Sequence, residues 1–365
     1  MGQSPKSDFY NSNGDGLPFL QGNRTFGDKY PTFDTWTTFV TKEAEVGDVI
    51  MSVRAPVGDI NITPLKMCLG RGVCGLRHKQ GAQEFLYYLL RANKENLINR
   101  ENGTVFGSIN KTDISNLEVQ VPSLREQIQI GLTLKAIDDK IENNKKINHH
   151  LEQIGQELFE EIYYDGSSAQ LGDIISTLES GSRPKGGAEA DGIPSIGAEN
   201  IERFGQYDYT KEKYISLEYF QKLKRGIVHS GDVLLYKDGA YTGKVSMALD
   251  DFPHAQCAIN EHIFILRPNE LAPSSFFLYF LLLQDKNKQA LFSRASSKAA
   301  QPGLNQTEVK TLPILLPKTE MITKFESTIA PVMHQIAKNA NENRRLITLQ
   351  KALLPKLLSG EISVN

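Results

Sequence analysis

Asn110-Lys111-Thr112-Asp113-Ile114, followed by Leu117-Glu118-Val119-Gln120-Val121-Pro122, returns 195 positions later as Asn305-Gln306-Thr307-Glu308-Val309 and Leu312-Pro313-Ile314-Leu315-Leu316-Pro317. Each proline opens onto a long heptad segment where the offset persists. Leu134, Ile137 and Ile141 answer there to Ile329, Val332 and Ile336. Polar Asn144 and Asn148, at seam positions, answer to Asn339 and Asn343. A duplication of this length describes a pseudo-twofold molecule, the kind of object that can read a two-part target.

The correspondence extends backwards from this stretch. Gly2-Gln3-Ser4-Pro5-Lys6 matches Gly181-Ser182-Arg183-Pro184-Lys185, and Leu17-Pro18-Phe19-Leu20 matches Ile193-Pro194-Ser195-Ile196. Polar loops with Asn23 and Arg24, or with Asn200 and Arg203, come next. Gly47-Asp48-Val49-Ile50-Met51 and Gly231-Asp232-Val233-Leu234-Leu235 each read as a tight turn entering a buried strand. Those strands deliver loops carrying Arg54 or Lys237, Tyr241 and Lys244. A further strand ending near Arg77 or Arg267 follows in each half. Short helices are expected at 84–96 and 274–284, and strands ending at Pro122 and Pro317 close the two units. Strands interrupted by one or two short helices point to α+β domains rather than a doubly wound sheet. Leu171-Gly172-Asp173-Ile174-Ile175 opens the second unit and has no counterpart in the first, so the first domain is expected to lack an opening strand.

Two long helices are the clearest elements. Ile130, Leu134, Ile137, Ile141, Leu151, Leu158 and Ile162 fall on one a/d seam. Ile322, Phe325, Ile329, Val332, Ile336, Leu346, Leu353 and Leu357 fall on another, and the spacing fits a coiled coil. Pro355 is expected to kink or end the second helix, leaving 356–365 as a separate docking tail. The organisation is then a first recognition domain at 1–122, a helix at 123–165, a second domain at 166–318, and a helix with tail at 319–365.

Bulk properties narrow the function. Net charge is −2, and residues 1–122 carry 13 basic against 13 acidic side chains, residues 166–318 17 of each. Counterion release needs clustered cations, so any affinity for DNA must come from local patches or from a partner. The longest apolar run, Phe276 to Leu283, is 8 residues, far below the ~20 that a membrane span needs. Cys68, Cys74 and Cys257 are unclustered, which suits a cytoplasmic protein with three small buried hydrophobes. The seven histidines show no paired metal spacing. Gly239-Ala240-Tyr241-Thr242-Gly243-Lys244 mimics a phosphate loop but is one residue short and lacks the Ser/Thr that would hold magnesium.

The ordered set of duplicated motifs resembles the specificity subunits of type I restriction–modification systems. So does the ending Leu353-Leu354-Pro355-Lys356-Leu357-Leu358-Ser359-Gly360-Glu361-Ile362. That resemblance covers essentially the whole chain. It implies an α+β fold of two pseudo-twofold-related target-recognition domains joined by two long antiparallel coiled-coil helices. It implies a non-catalytic subunit that reads a bipartite site on double-stranded DNA. Adenine methyltransferase (modification) subunits, two of them, and motor–nuclease (restriction) subunits would be its partners. S-adenosylmethionine, ATP and magnesium would belong to those partners, and this chain would hold no cofactor. A coiled-coil interaction scaffold with two globular ends is the rival reading.

Candidate DNA contacts in the first domain are Gln3, Ser4, Lys6, Asn23, Arg24, Arg54, Asn110 and Lys111. In the second they are Ser182, Arg183, Lys185, Asn200, Arg203, Lys237, Tyr241, Lys244, Lys298 and Asn305. Amides and guanidinium groups are the common readers of base edges. In an antiparallel pair an a position meets a d position, so Asn144 should face Asn343 and Asn148 should face Asn339, fixing register.

Overall fold

The computed structural model describes residues 1–100, 107–296 and 303–363. The chain forms two compact units, residues 1–139 with 346–365, and residues 140–345. The division cuts through both long helices instead of falling at their ends, so each unit contains a recognition domain and a stretch of each helix.

In the first unit the Gly47 turn, at φ 84°, feeds the strand Val49–Ser52, which lies between Ile60–Ile62 and Val73–Leu76 in an antiparallel sheet. Val49 and Met51 face one core with Phe85 and Tyr88, whereas Ile50 faces another with Met67 and Leu69. A strand buried on both faces explains the unbroken apolar run that follows Gly-Asp. The second unit repeats this arrangement. Val233 and Leu235 join the larger core with the helix Ser275–Leu283, and Leu234 and Tyr236 join a smaller one with Ile196 and Ile259. A second sheet in each unit contains the proline-bearing strand, which runs parallel to Met67–Leu69 in the first and to Ala258–Ile259 in the second.

The aspartate of each Gly-Asp turn is a structural clasp. Asp48 accepts the Glu45 amide and both nitrogens of the Arg77 fork at 2.6 and 2.7 Å. Asp232 accepts the His229 amide and the Arg267 fork at 2.6 and 2.8 Å. A bidentate guanidinium–carboxylate pair closes the turn onto a later strand.

Three local expectations are corrected. The strand expected at Leu117–Pro122 is absent, and Val119 and Val121 are exposed. Its counterpart Pro313–Leu316 is a strand because it pairs antiparallel with Ser167–Gln170, a segment that the described residues of the first unit do not reproduce. In the second unit Ile175–Ser180 adds a fourth strand beside Ile263–Pro268, and the described residues of the first unit do not show an equivalent. The helix expected at 84–96 is two helices, Gln83–Ala92 and Lys94–Ile98, interrupted where the Asn93 amide donates to the Leu89 carbonyl. Pro355 does not end the second long helix, which continues to Leu358 with Leu357 buried in the core. Proline there removes a single backbone donor and sits on the solvent face beside exposed Lys351, where water can satisfy the freed carbonyl.

The long helices, Leu124–Tyr163 and Thr319–Leu358, are each 40 residues. Within the second unit they run antiparallel. Asn144 Nδ2 donates to Asn343 Oδ1 at 2.9 Å, and Asn339 Nδ2 donates to Asn148 Oδ1 at 2.8 Å. Asn148 also donates to the Ile336 carbonyl at 3.1 Å, and Asn144 to the Glu342 carboxylate at 2.8 Å. The three cysteines are buried, and burial pushes the thiols of Cys74 and Cys257 up to about 11 and about 12.

Candidate nucleic-acid interface

Each unit brings the same two loops together. In the first, the loop leaving Val49–Ser52 meets the segment before the helix Lys111–Ser115: Arg54 bridges Ser108, and the Ala55 amide donates to the Gly107 carbonyl at 3.0 Å. In the second, Asp238 bridges Gly303 and the Leu304 amide donates to the Lys237 carbonyl at 2.8 Å. Those segments end in Asn110 and Asn305, and both asparagines form capping boxes with Asp113 and Glu308. Their side chains are committed to helix starts. The Asn-x-x-Asp/Glu pattern is therefore accounted for by local structure, a signal that base reading had obscured.

The remaining second-unit residues divide by environment. Asn200 is buried, accepting the Gly197 amide and donating to the Asp208 carbonyl. It shapes its loop and offers nothing to a base edge. Arg203 turns back onto the first long helix, donating to Glu152 at 2.9 Å and to His149 Nδ1 at 3.1 Å. Glu152 also accepts from the Tyr279 hydroxyl at 2.6 Å, and burial, with that carboxylate beside it, holds the phenol protonated well above its usual range. Lys237 lies over the Phe264 ring. Lys244 lies 4.5 Å from the ring centre of Tyr241, which is exposed, and donates to the Ile201 carbonyl at 3.3 Å. Ser182 hydrogen-bonds the Tyr219 hydroxyl, Arg183 pairs with Glu261 at 2.9 Å, and Lys185 is exposed. Lys298 lies outside the described residues.

Arg203, Tyr241 and Lys244 share a cleft of about 520 Å³ with His149, Gln153, Gln156, Glu202 and Lys288. The sequence reading missed Lys288 and the helix face. Only the fold brings a mid-helix lysine and a coiled-coil surface to the same place.

In the first unit Ser4 donates to Gln21 and Asn23 donates to Asp59 at 2.6 Å. Arg24 pairs with Asp34 at 2.6 Å with its side chain mostly exposed, and Gln3, Lys6, Arg54 and Lys111 are exposed. Cations over both units are held by nearby carboxylates, Lys94 by Asp59 and Lys213 by Glu199 among them. The electroneutral composition is thus reproduced locally. No group of His, Cys, Asp and Glu among the described residues is placed to hold a metal, and no described helix is long and apolar enough to cross a membrane.

A family model described as the type I restriction modification DNA specificity domain matches residues 2–153 and again 168–351. The chain belongs to the type I restriction–modification specificity family. Three relatives illustrate the likeness. The putative type I restriction enzyme MjaX specificity subunit of Methanocaldococcus jannaschii is 41% identical over 155 residues, covering 42% of this chain and 36% of that protein. The type I restriction enzyme MjaIX specificity subunit of the same organism is 24% identical, covering 87% of this chain and 78% of that one. The HindI specificity subunit of Haemophilus influenzae is 24% identical, covering 76% and 77%. Among solved structures, the S subunit of a type I restriction-modification system from M. genitalium superposes with a TM-score of 0.62 at 15% identity, covering 98% of this chain and 92% of that one. At that identity the superposition establishes a shared fold: mixed helix-and-sheet domains with long helices.

Proposed function

We propose that this chain is the DNA-reading, non-catalytic subunit of a type I restriction–modification complex, each recognition domain reading one half of a bipartite site. The observation that carries this reading is the repeated loop pair. The turn after the central strand and the segment before the capping-box helix meet in both units, on frameworks alike in core but different in loop length. Loops of varied length on a common scaffold are where binding specificity resides.

The charge pattern supports a reader that depends on partners. Arg183, Arg203, Lys213 and Lys244 each lie within reach of a carboxylate. Phosphate contacts by these groups must displace those carboxylates, so this chain alone binds duplex DNA weakly and with strong salt dependence. Adenine methyltransferase subunits, two per chain, would add the remaining affinity and the chemistry, holding S-adenosylmethionine. Motor–nuclease subunits would use ATP and magnesium. Cytoplasmic assembly with DNA follows from this reading.

The test is a complex reconstituted with its methyltransferase subunits and offered duplexes of varied sequence. Selective, salt-sensitive binding and methylation at a two-part site are expected. Lys244→Ala and Lys237→Ala should weaken one half-site, each by about 1 kcal/mol or more. Binding indifferent to sequence, or absent, would instead favour a scaffold.

A further inference from the structure

Asn93-Lys94-Glu95-Asn96-Leu97 returns as Asn287-Lys288-Gln289-Ala290-Leu291, in each unit following the short helix packed on the core. The framework residues of this repeat keep their roles. Asn93 donates to the Leu89 carbonyl at 2.8 Å and Asn287 to the Leu281 carbonyl at 2.7 Å, and Leu97 and Leu291 are both fully buried. The lysine between them reaches the same place in both units, beside the loop that leaves the central strand. A Cβ on Gly58 would lie 3.3 Å from the Lys94 side chain, and one on Gly243 would lie 3.5 Å from the Lys288 carbonyl oxygen.

Strand pairing makes the next loop residues equivalent. Met51 pairs with Ile60 and Leu235 with Val245, so Asp59 corresponds to Lys244. The backbone agrees, since the Ser52 amide donates to the Asp59 carbonyl and the Tyr236 amide to the Lys244 carbonyl, each at 2.9 Å. Exchanging aspartate for lysine reverses the local charge. In the first unit Asp59 accepts from Lys94 at 2.7 Å and from Asn23 at 2.6 Å, so the repeated lysine is neutralised. In the second, Lys288 shares a cleft with Lys244 and Arg203, three cations against Glu152 and Glu202. Those carboxylates hold Arg203 at 2.9 Å and Lys244 at 3.5 Å, and none among the described residues pairs with Lys288. A cleft with one cation in excess attracts an anion.

We propose that Lys288, together with Lys244, seats a backbone phosphate of duplex DNA in the second unit, and that Asp59 closes the equivalent seat in the first. The proposal rests on the DNA reading above and adds to it. Phosphate contacts fix how a domain sits on the duplex and carry no base preference. Lys288 therefore supplies affinity and salt dependence to the second half-site without choosing its sequence.

The experiment measures binding of the complex, reconstituted with its methyltransferase subunits, to matched and mismatched duplexes over a range of salt. Lys288→Ala should weaken both duplexes by the same factor, about three- to tenfold, and make the salt dependence of log K shallower by about 1. Lys94→Ala should leave both unchanged. Asp59→Asn, which uncovers Lys94, should tighten binding and steepen the slope by about 1, a gain that structural damage does not produce. Unchanged affinity and slope in Lys288→Ala would overturn the proposal. So would equal losses from the two lysine variants, a loss confined to one base sequence, or no gain from Asp59→Asn. Each of those results, obtained with a wild-type complex that binds selectively, leaves the DNA reading standing. A wild-type complex that binds no DNA overturns both.

Discussion

Asp48 and Asp232 occupy equivalent turns, but their clasps differ in burial, and that difference sets their worth. Arg267 is shielded by a neighbouring strand bearing Glu179, whereas Arg77 is open to water. Removing one partner of a buried ion pair leaves an uncompensated charge and costs about 3–5 kcal/mol, while exposed pairs contribute about 1 or less. Asp232→Ala should therefore destabilise the chain clearly more than Asp48→Ala, as read from urea unfolding monitored separately for each unit. A second residue-scale prediction concerns Glu326, which accepts a hydrogen bond from Ser274 at the start of the helix Ser275–Leu283. Burial pushes its carboxyl above the ordinary value, only partly offset by the Ser274 hydroxyl and the Phe276 amide. The folded form thus keeps this proton to higher pH than the unfolded chain. The stability so gained is present below the unfolded pKa and is lost as pH rises through the folded one. Glu326→Gln should reduce the loss of stability as pH rises above the ordinary glutamate value of about 4.3, measured as the change in Tm. An unchanged pH profile would remove Glu326 from the account.

At the scale of elements, the first long helix holds two glycines that heptad reading passed over. A Cβ at Gly131 would lie 2.6 Å from the Phe85 backbone nitrogen, and one at Gly155 would lie 2.3 Å from the Phe280 ring. These glycines let the short helix of each recognition domain approach the long one. Gly→Ala within a helix normally gains up to about 1 kcal/mol. Here overpacking reverses the sign, and each substitution should cost about 1–3 kcal/mol in thermal or chemical unfolding. The asparagines act at the same scale. Asn144→Ala would leave the Asn343 side chain buried without its partner, at a cost of about 1–3 kcal/mol. Asn144→Leu with Asn343→Leu should recover most of that loss, since paired apolar replacements of buried polar groups are tolerated. What the double variant should lose is unique helix register, detectable as broadened amide resonances along 140–148.

For the whole molecule, the proposed reading makes the long helices a ruler. Forty residues extend ~60 Å at 1.5 Å per residue, against the ~34–36 Å between successive major grooves on one face of a duplex. Inserting one helical turn near Asn144 should lengthen the gap between half-sites and leave each half-site unchanged, as read by mapping methylated adenines. Exchanging residues 166–318 for those of another family member should alter one half-site only. A chimera that changed both halves would show that the domains do not read independently. By itself the sequence determined the repeat, the two helices, the Gly-Asp strands and the pairing partners of the asparagines. Periodicity and turn chemistry are local properties, and they recur at a fixed offset. Only tertiary structure decided that Leu117–Val121 is not a strand, because a strand exists through a partner that local propensity cannot supply. Tertiary structure likewise buried Asn200 and turned Arg203 onto Glu152, whereas the caps at Asn110 and Asn305 are local, each completed by an acidic residue three positions on. A polar side chain in a loop reads the same in sequence whether it faces solvent or a carboxylate on a distant helix, and the choice is made by packing.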